Sequence, residues 1–254
     1  MTIDKAWLAE CADDLKASVL FLTRLPLPWP TPDGSAVARA SWAFPIAGIV
    51  VGAIGAFVYA LAHRLGLPAW SAATLAVAAT LLTTGGLHED GLADSADGFG
   101  GGNTREQKLA IMRDSRIGTY GVCALIISIL LRAGALASLA DPGLVALALI
   151  AAHGAARATM PAFMLLAPPS RDDGLAFAAG RPPRESVVGG ALLGLLLLVS
   201  CLGPTLGLVA LVLLAIAAAL WAWFSLAQID GQTGDVLGAL EQVSEIVILL
   251  VALR

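Results

Sequence analysis

The chain has 254 residues, of which 58% are hydrophobic and only 13% charged, and its formal net charge is -4. Soluble domains carry about 25% charged residues. This composition excludes an ordinary soluble domain and predicts an integral membrane protein that contacts the lipid bilayer. In such a protein the placement of charges matters more than their sum, and we expect no nucleic-acid partner.

Seven apolar stretches are long enough to cross a bilayer, because a transmembrane helix needs about 20 mostly apolar residues. A shorter stretch, residues 17–29, can form a further half-span or an interfacial helix. The predicted fold is all-α: a polytopic transmembrane helical bundle of about seven spans (six to eight), forming one integral membrane domain over residues 1–254. In chain order the seven stretches are 42–62, 69–87, 119–139, 144–166, 186–202, 204–224 and 236–253.

The basic residues predict the orientation, because Lys and Arg in short loops are retained on the cytoplasmic side. They precede the first span and fill the second-to-third and fourth-to-fifth connections, whereas the opposite connections carry only Arg64. We therefore expect a cytoplasmic N-terminus. The segment 88–118 is then a cytoplasmic loop that carries two charged motifs.

The first motif is HEDGLADSADG, residues 88–98. Asp90, Asp94 and Asp97 stand at i, i+4 and i+7, so a helical backbone places all three on one face. Repelling carboxylates are tolerable when a cation neutralises them, and hard oxygen ligands suit Mg²⁺ or Mn²⁺. The alternative is a solvated helix end. His88 can serve as a general base or can be a structural histidine.

The second motif, IMRDSRIGTYG, covers residues 111–121 and offers Arg113, Asp114 and Arg116. Guanidinium groups match phosphate oxygens bidentately, so an acidic stripe and an arginine pair on one loop favour a diphosphate ligand. Retention of basic residues on the cytoplasmic side explains the same arginines without a ligand.

A third acidic group, at the start of the last span, contains Asp235, Glu241 and Glu245. Acidic residues in an apolar helix need partners. These residues can pair with Arg157 or Arg132, add to the metal site, or contact a polar substrate.

Four segments together resemble the cobalamin synthase family over nearly the whole chain. They are FLTRLPLP (21–28), GGLHEDGLADSADG (85–98), IMRDSRIGTYG and DGQTGDVLGA (230–239). The resemblance implies a Mg²⁺-dependent enzyme of the bacterial inner membrane, with Mn²⁺ as a possible substitute and a cytoplasm-facing site. Its substrates would be adenosylcobinamide-GDP and alpha-ribazole or alpha-ribazole 5'-phosphate. A ribose hydroxyl would attack the corrinoid-side phosphorus and release GMP. A homo-oligomer is compatible with this interpretation.

This chemistry needs positioning and charge neutralisation more than covalent help from the protein. We assign Asp90, Asp94 and Asp97 to the metal, with Asp97 as the proton acceptor and Asp94 and His88 as further catalytic candidates. The candidates for substrate binding are Arg113, Arg116, Asp114, Arg24, Asp235 and Glu241.

Two other classes of protein are considered. A CDP-alcohol phosphotransferase of phospholipid synthesis also clusters aspartates at a helix end, but its pattern D-G-x-x-A-R lacks a counterpart in DGLADSADG. A cation-coupled transporter usually places its site on broken helices near the midplane, often between inverted repeats. The sequence shows neither feature.

Overall fold

The computed structural model describes residues 5–254, and within that range the chain is helical and has no strand. The all-α prediction is confirmed. Eleven α-helices and one short 3₁₀ helix, Ala40–Ala43, follow one another along the described chain. The helices are α1 (Lys5–Leu22), α2 (Gly34–Arg39), α3 (Phe44–Arg64), α4 (Ala69–Thr84), α5 (Leu87–Gly101), α6 (Arg105–Ile111), α7 (Thr119–Leu139), α8 (Pro142–Leu166), α9 (Gly174–Ala179), α10 (Arg184–Ile229) and α11 (Gly234–Val251).

Four helices within residues 5–254 are long and apolar enough to cross a membrane, or up to five when α4 and α5 are counted as one broken span. The α10 helix contains a sharp reversal. Gly203 has φ 79° and ψ 165° and is followed by Pro204. A Cβ on Gly207 would lie 2.8 Å from the carbonyl oxygen of Leu198, whereas a straight helix separates residues nine apart by about 13 Å. The two halves of α10 therefore form a hairpin, where the sequence predicts two spans.

The segment 88–118, expected as a loop, is mostly helical. Gly85 and Gly86 both adopt left-handed backbone conformations, with φ 68° and 72°. Such conformations suit glycine, which has no Cβ. They end α4 and start α5 at an angle of 91°. Since α5 is rich in acidic residues and perpendicular to α4, we do not count it as a separate membrane span.

Small residues bring α3 against α8 at the centre of the bundle. A Cβ on Gly48 would lie 2.1 Å from the carbonyl oxygen of His153, and one on Gly52 would lie 2.6 Å from that of Leu149. Close backbone approach through small residues is a common way to pack helices in membranes.

The N-terminal helix differs from its expected position. The sequence suggests a half-span or interfacial helix over residues 17–29, whereas α1 begins at Lys5 and ends at Leu22. Pro26 and Pro28 explain the early end, because proline lacks the backbone N–H that a helix needs. The chain then passes beside α4, where Arg24 N donates to Thr83 O over 2.7 Å.

Candidate active site

The acidic stripe lies on α5, as its helical spacing predicts, and a fourth carboxylate joins it from α11. The two helices approach closely at Gly91, where a Cβ would lie 2.7 Å from the carbonyl oxygen of Asp235. The negative charges of Asp90, Asp97 and Asp235 all act on Asp94. The structure therefore brings together acidic residues that are far apart in sequence.

Asp94 is the carboxyl group most affected by this crowding. Burial raises the pKa of Asp94 from its ordinary value of 3.8 to about 7, and the charges of Asp90, Asp235 and Asp97 add to the effect. The nearby guanidinium of Arg171 opposes it. Asp94 thus exchanges its proton near neutral pH, a property suited to general acid–base catalysis.

Asp97 has a different role in the structure, because backbone donors occupy both of its oxygens. Gly118 N donates to Oδ2 over 2.7 Å, and Gly121 N donates to Oδ1 over 2.9 Å. These N–H groups belong to the start of α7, where the first turn of a helix has no acceptor of its own. Asp97, only 8% exposed, therefore caps α7, and this geometry does not favour the predicted role as proton acceptor.

Asp235 is held at the edge of the stripe. Its Oδ2 accepts from Arg171 Nη2 over 3.2 Å and from Thr233 Oγ1 over 3.1 Å. Within residues 5–254, no hydrogen bond reaches Asp235 Oδ1. One oxygen of Asp235 is thus fixed and the other is free to take a ligand.

Arg171 is a site residue that the sequence-based assignment missed. Its side chain is 14% exposed, and Nη1 is buried without a hydrogen-bond partner among the described residues. Arg171 also lies between two cavities, an apolar one of about 250 Å³ and an open cleft of about 420 Å³. The segment PPSRDDG marks it only as a charged connection, so no sequence signal links it to the acidic stripe.

The arginines of the second motif form ion pairs near the surface. Arg113 Nη2 binds both carboxylate oxygens of Asp173, at 2.8 and 2.7 Å. Arg116 pairs with Asp114 over 2.6 Å, and these hydrogen bonds lower the pKa of Asp114 to about 2. Arg113 lines the open cleft, whereas Arg116 is 87% exposed. Arg113 therefore borders the cleft that Arg171 also lines.

Arg24 lies at the turn between α4 and α5. A Cβ on Gly85 would lie 2.4 Å from Arg24 Cγ, so the arginine stem packs on that glycine. Its exposed guanidinium makes no ion pair within the described part of the chain. Arg24 is thus free to contact an anion near the start of α5.

Glu241 is buried in an ion-pair network rather than open to a substrate. It is 0% exposed, and its Oε1 lies 2.5 Å from Arg157 Nη1. Among the alternatives that the sequence left open, the structure shows pairing with Arg157. The other charged members are Glu89, Arg132, His153 and Glu245, each at most 6% exposed.

This buried network connects α5, α7, α8 and α11. Arg132 Nη1 lies 3.0 Å from Glu89 Oε1 and 3.3 Å from Glu245 Oε2. Ligand atoms of His153, Glu241 and Glu245 lie within 4.8 Å of one another, as in a metal site. However, Arg157 Nη1 is within 3.2 Å of both glutamates, so a guanidinium already neutralises them.

His88 joins this network on the face of α5 that lies opposite the acidic stripe. Its Nδ1 is 3.3 Å from Arg157 Nη2 and 3.7 Å from Glu241 Oε2. The side chain also lines the apolar cavity of about 250 Å³, together with Asp90, Arg171 and Asp235. His88 is therefore at the cavity wall but on a different side of α5 from Asp94 and Asp97.

The fold and site define an all-helical integral membrane protein with carboxylates and a guanidinium in the lining of a cavity. The chain belongs to the cobalamin-5-phosphate synthase family, whose model matches residues 14–253. It is thus a member of a transferase family, and the resemblance seen in the motifs is confirmed.

Several curated relatives are similar over almost their whole length, and each is named adenosylcobinamide-GDP ribazoletransferase. The protein from Bradyrhizobium diazoefficiens is 59% identical over 94% of this chain and 92% of its own. Those from Mesorhizobium japonicum and Azorhizobium caulinodans are 52% and 45% identical, over 94% and 93% of this chain and 92% and 94% of their own. No solved structure matches the chain.

Proposed function

We propose that this protein is an adenosylcobinamide-GDP ribazoletransferase of the bacterial inner membrane, with its site facing the cytoplasm. It would join alpha-ribazole or its 5'-phosphate to adenosylcobinamide-GDP, giving adenosylcobalamin or its 5'-phosphate and GMP. The relatives' names support the reaction. The observation that carries the proposal is the meeting of Asp90, Asp235 and Arg171 at one cavity, with their charges acting on the neighbouring Asp94.

In this reaction a ribose hydroxyl oxygen forms a bond to the corrinoid-side phosphorus of the diphosphate. The bond from that phosphorus to the oxygen bridging to GMP breaks, and GMP leaves with the electron pair. The hydroxyl proton goes to a carboxylate Oδ of Asp94. We assign this role to Asp94 rather than Asp97, because the pKa of Asp94 is raised to about 7 whereas Asp97 is occupied by backbone donors.

The donor set fits Mg²⁺, with Mn²⁺ as a substitute. Asp90 is exposed and Asp235 has a free Oδ1, and Mg²⁺ is commonly bound by one or two carboxylates with water and substrate phosphates. Asp94 is a third candidate ligand. When bound, the ion would neutralise the diphosphate and stabilise charge on its leaving oxygen.

Basic side chains provide the remaining contacts to the diphosphate in this proposal. Arg171 presents the buried and unpartnered Nη1, and a guanidinium is a strong hydrogen-bond donor to phosphate oxygens. Arg113 lines the adjoining cleft and Arg24 lies near the start of α5. We propose Arg171 as the main phosphate contact, with Arg113 and Arg24 as outer contacts.

The proposal is tested with the full chain reconstituted in lipid nanodiscs. Adenosylcobinamide-GDP and alpha-ribazole should give equimolar GMP and corrinoid product, and chelation of divalent metal should stop the reaction. Asp94→Asn should abolish GMP release, while Glu185→Gln, which changes an exposed acid in the first turn of α10, serves as the control. Turnover with only CDP-diacylglycerol and a simple alcohol would instead identify the phospholipid enzyme.

A further inference from the structure

The cavity between α1, α3, α5, α8, α9 and α11 has a lining that the transfer chemistry alone does not explain. Its volume is about 250 Å³, and its walls include Phe21, Phe44, Met160 and Met164. The two phenylalanine rings are stacked, with centroids 6.0 Å apart and planes 22° apart. Aromatic and thioether side chains pack well against a flat aromatic ring.

His88, one of the residues that line the cavity, has a buried polar atom without a partner in the described part of the chain. His88 is 1% exposed, and its Nε2 makes no hydrogen bond to any residue in the range 5–254. A guanidinium can only donate, so the contact from Arg157 Nη2 to Nδ1 requires a lone pair on Nδ1. The hydrogen of the neutral ring is then on Nε2. His88 therefore carries a buried donor that lacks an acceptor.

A buried donor without an acceptor is destabilising, so a ligand that supplies one acceptor at this place binds more tightly than one that does not. The other end of the cavity is polar. Asp90, Asp235 and Arg171 line it and belong to the proposed transfer site. The cavity therefore matches a ligand with an apolar aromatic end, a single acceptor on that end, and a polar end at the carboxylates.

We propose that this cavity binds the aromatic base of the acceptor nucleoside, with the free ring nitrogen of that base accepting a hydrogen bond from His88 Nε2. This inference rests on the proposed function. The benzimidazole of alpha-ribazole has one unsubstituted ring nitrogen and otherwise apolar edges. The ribose would then extend towards Asp94, where its hydroxyl is needed.

The same features distinguish this base from other occupants. A guanine base carries polar atoms on several edges and would leave most of them unpaired against Phe21, Phe44 and the two methionines. A lipid chain would fill the volume but would leave His88 Nε2 without an acceptor. His88 is thus a recognition residue for the acceptor in this proposal, rather than a general base.

The test is equilibrium binding to the full-length protein in nanodiscs, without adenosylcobinamide-GDP or metal. The probes are alpha-ribazole and the dimethylindole riboside of the same shape, in which a C–H replaces the free ring nitrogen. The wild-type protein should bind alpha-ribazole about tenfold more tightly, as expected for one hydrogen bond. His88→Phe should bind both probes with equal affinity.

A second variant tests the cavity without altering His88. Ala176→Leu narrows the cavity and should weaken the binding of both probes at least tenfold. Ala215→Phe, which fills a separate apolar cavity between α8 and α10, should leave binding unchanged. A thermal unfolding curve for each variant shows that it is folded.

Equal affinity of the wild-type protein for the two probes would overturn the proposal, as would undiminished discrimination in His88→Phe or tight binding to Ala176→Leu. A different result would contradict the proposed function alone: alpha-ribazole binds with the expected discrimination, but no GMP is released. Normal GMP release without discrimination would reject the base site alone.

Discussion

Asp97 on α5 accepts the backbone N–H of Gly118, with 2.7 Å between the nitrogen and Oδ2. The contact fixes the end of the acidic stripe to the first turn of α7. Helix N-termini attract negative charge because their N–H groups are unpaired and the helix dipole is positive there. The stripe therefore divides into a structural member, Asp97, and two members, Asp90 and Asp94, that are free for chemistry.

This division predicts opposite effects for two similar substitutions. Asp97→Ala removes the acceptor for two backbone N–H groups and should cost about 1–2 kcal/mol of stability. Asp94→Asn removes a repelled charge, so at pH 8 it should melt no lower than the wild-type protein while GMP release is lost. Thermal unfolding and GMP release, measured on the same samples, check both. A larger loss of stability in Asp94→Asn than in Asp97→Ala would contradict the division.

The direction in which stability changes with pH follows from the raised pKa of Asp94. Folding disfavours its charged form, so the stability of the wild-type protein should decrease as pH rises through about 7. Asn cannot ionise, so the Asp94→Asn protein should lack this component.

Two glycines of α7 provide a paired test of the Asp97 contact. A Cβ on Gly121 would lie 2.4 Å from Asp97 Oδ2, whereas one on Gly134 would meet Trp70 only at 3.6 Å. Gly121→Ala should therefore destabilise the protein. Gly134→Ala should leave it unchanged or slightly more stable, since alanine favours helix over glycine by about 1 kcal/mol. Melting temperatures of the two variants give the comparison, and equal values would argue against the contact.

The sequence predicts the local part of this site better than the part made by distant segments. The helical spacing of Asp90, Asp94 and Asp97 follows from their positions alone, and α5 confirms it. Sequence does not show that backbone donors of α7 use Asp97. The sequence also does not show that Arg171, 77 positions beyond Asp94, lies near the acidic residues of α5. That proximity depends on the packing of α5 against α11.

The same limit applies to the fold. Apolar runs predict most of the long helices, and the break between the predicted spans 186–202 and 204–224 coincides with the reversal within α10. The sequence does not predict the perpendicular turn at Gly85 and Gly86, because the apolar run continues to Leu87. Two left-handed glycines override the hydrophobic pattern there. The number of spans and the orientation in the membrane remain predictions.

The buried ion-pair network should be essential for folding and not only for activity. Arg157→Met leaves Glu241 without a guanidinium and Glu245 with only that of Arg132, and loss of one partner of a buried pair costs about 3–5 kcal/mol. The double variant Arg157→Met with Glu241→Gln removes one of the stranded charges and should recover part of that loss. Thermal unfolding in detergent checks the order of stability. A double variant less stable than Arg157→Met would show that the charges are not coupled.

Metal binding should depend on pH through Asp94. As pH rises from 6 to 8, Asp94 loses its proton, since its pKa without metal is about 7. The added negative charge beside Asp90 and Asp235 strengthens attraction for a divalent ion. Mn²⁺ affinity, measured by electron paramagnetic resonance of the protein in nanodiscs, should therefore increase over this range. The Asp94→Asn protein should bind Mn²⁺ more weakly, and its affinity should change little between pH 6 and pH 8.

Arg171 should contribute to transfer through its geometry as well as its charge. Lysine retains the charge but cannot hold Asp235 and present a second donor to phosphate at once, because it lacks the planar fork of arginine. Arg171→Lys should therefore reduce kcat/KM for adenosylcobinamide-GDP by about a hundredfold, the scale seen when one oriented donor to a transition state is lost. Arg184→Ala, which removes an exposed cation at the start of α10, is the control for a general loss of positive charge. Activity of Arg171→Lys within twofold of wild type would place the phosphate contact elsewhere, with Arg113 as the next residue to test.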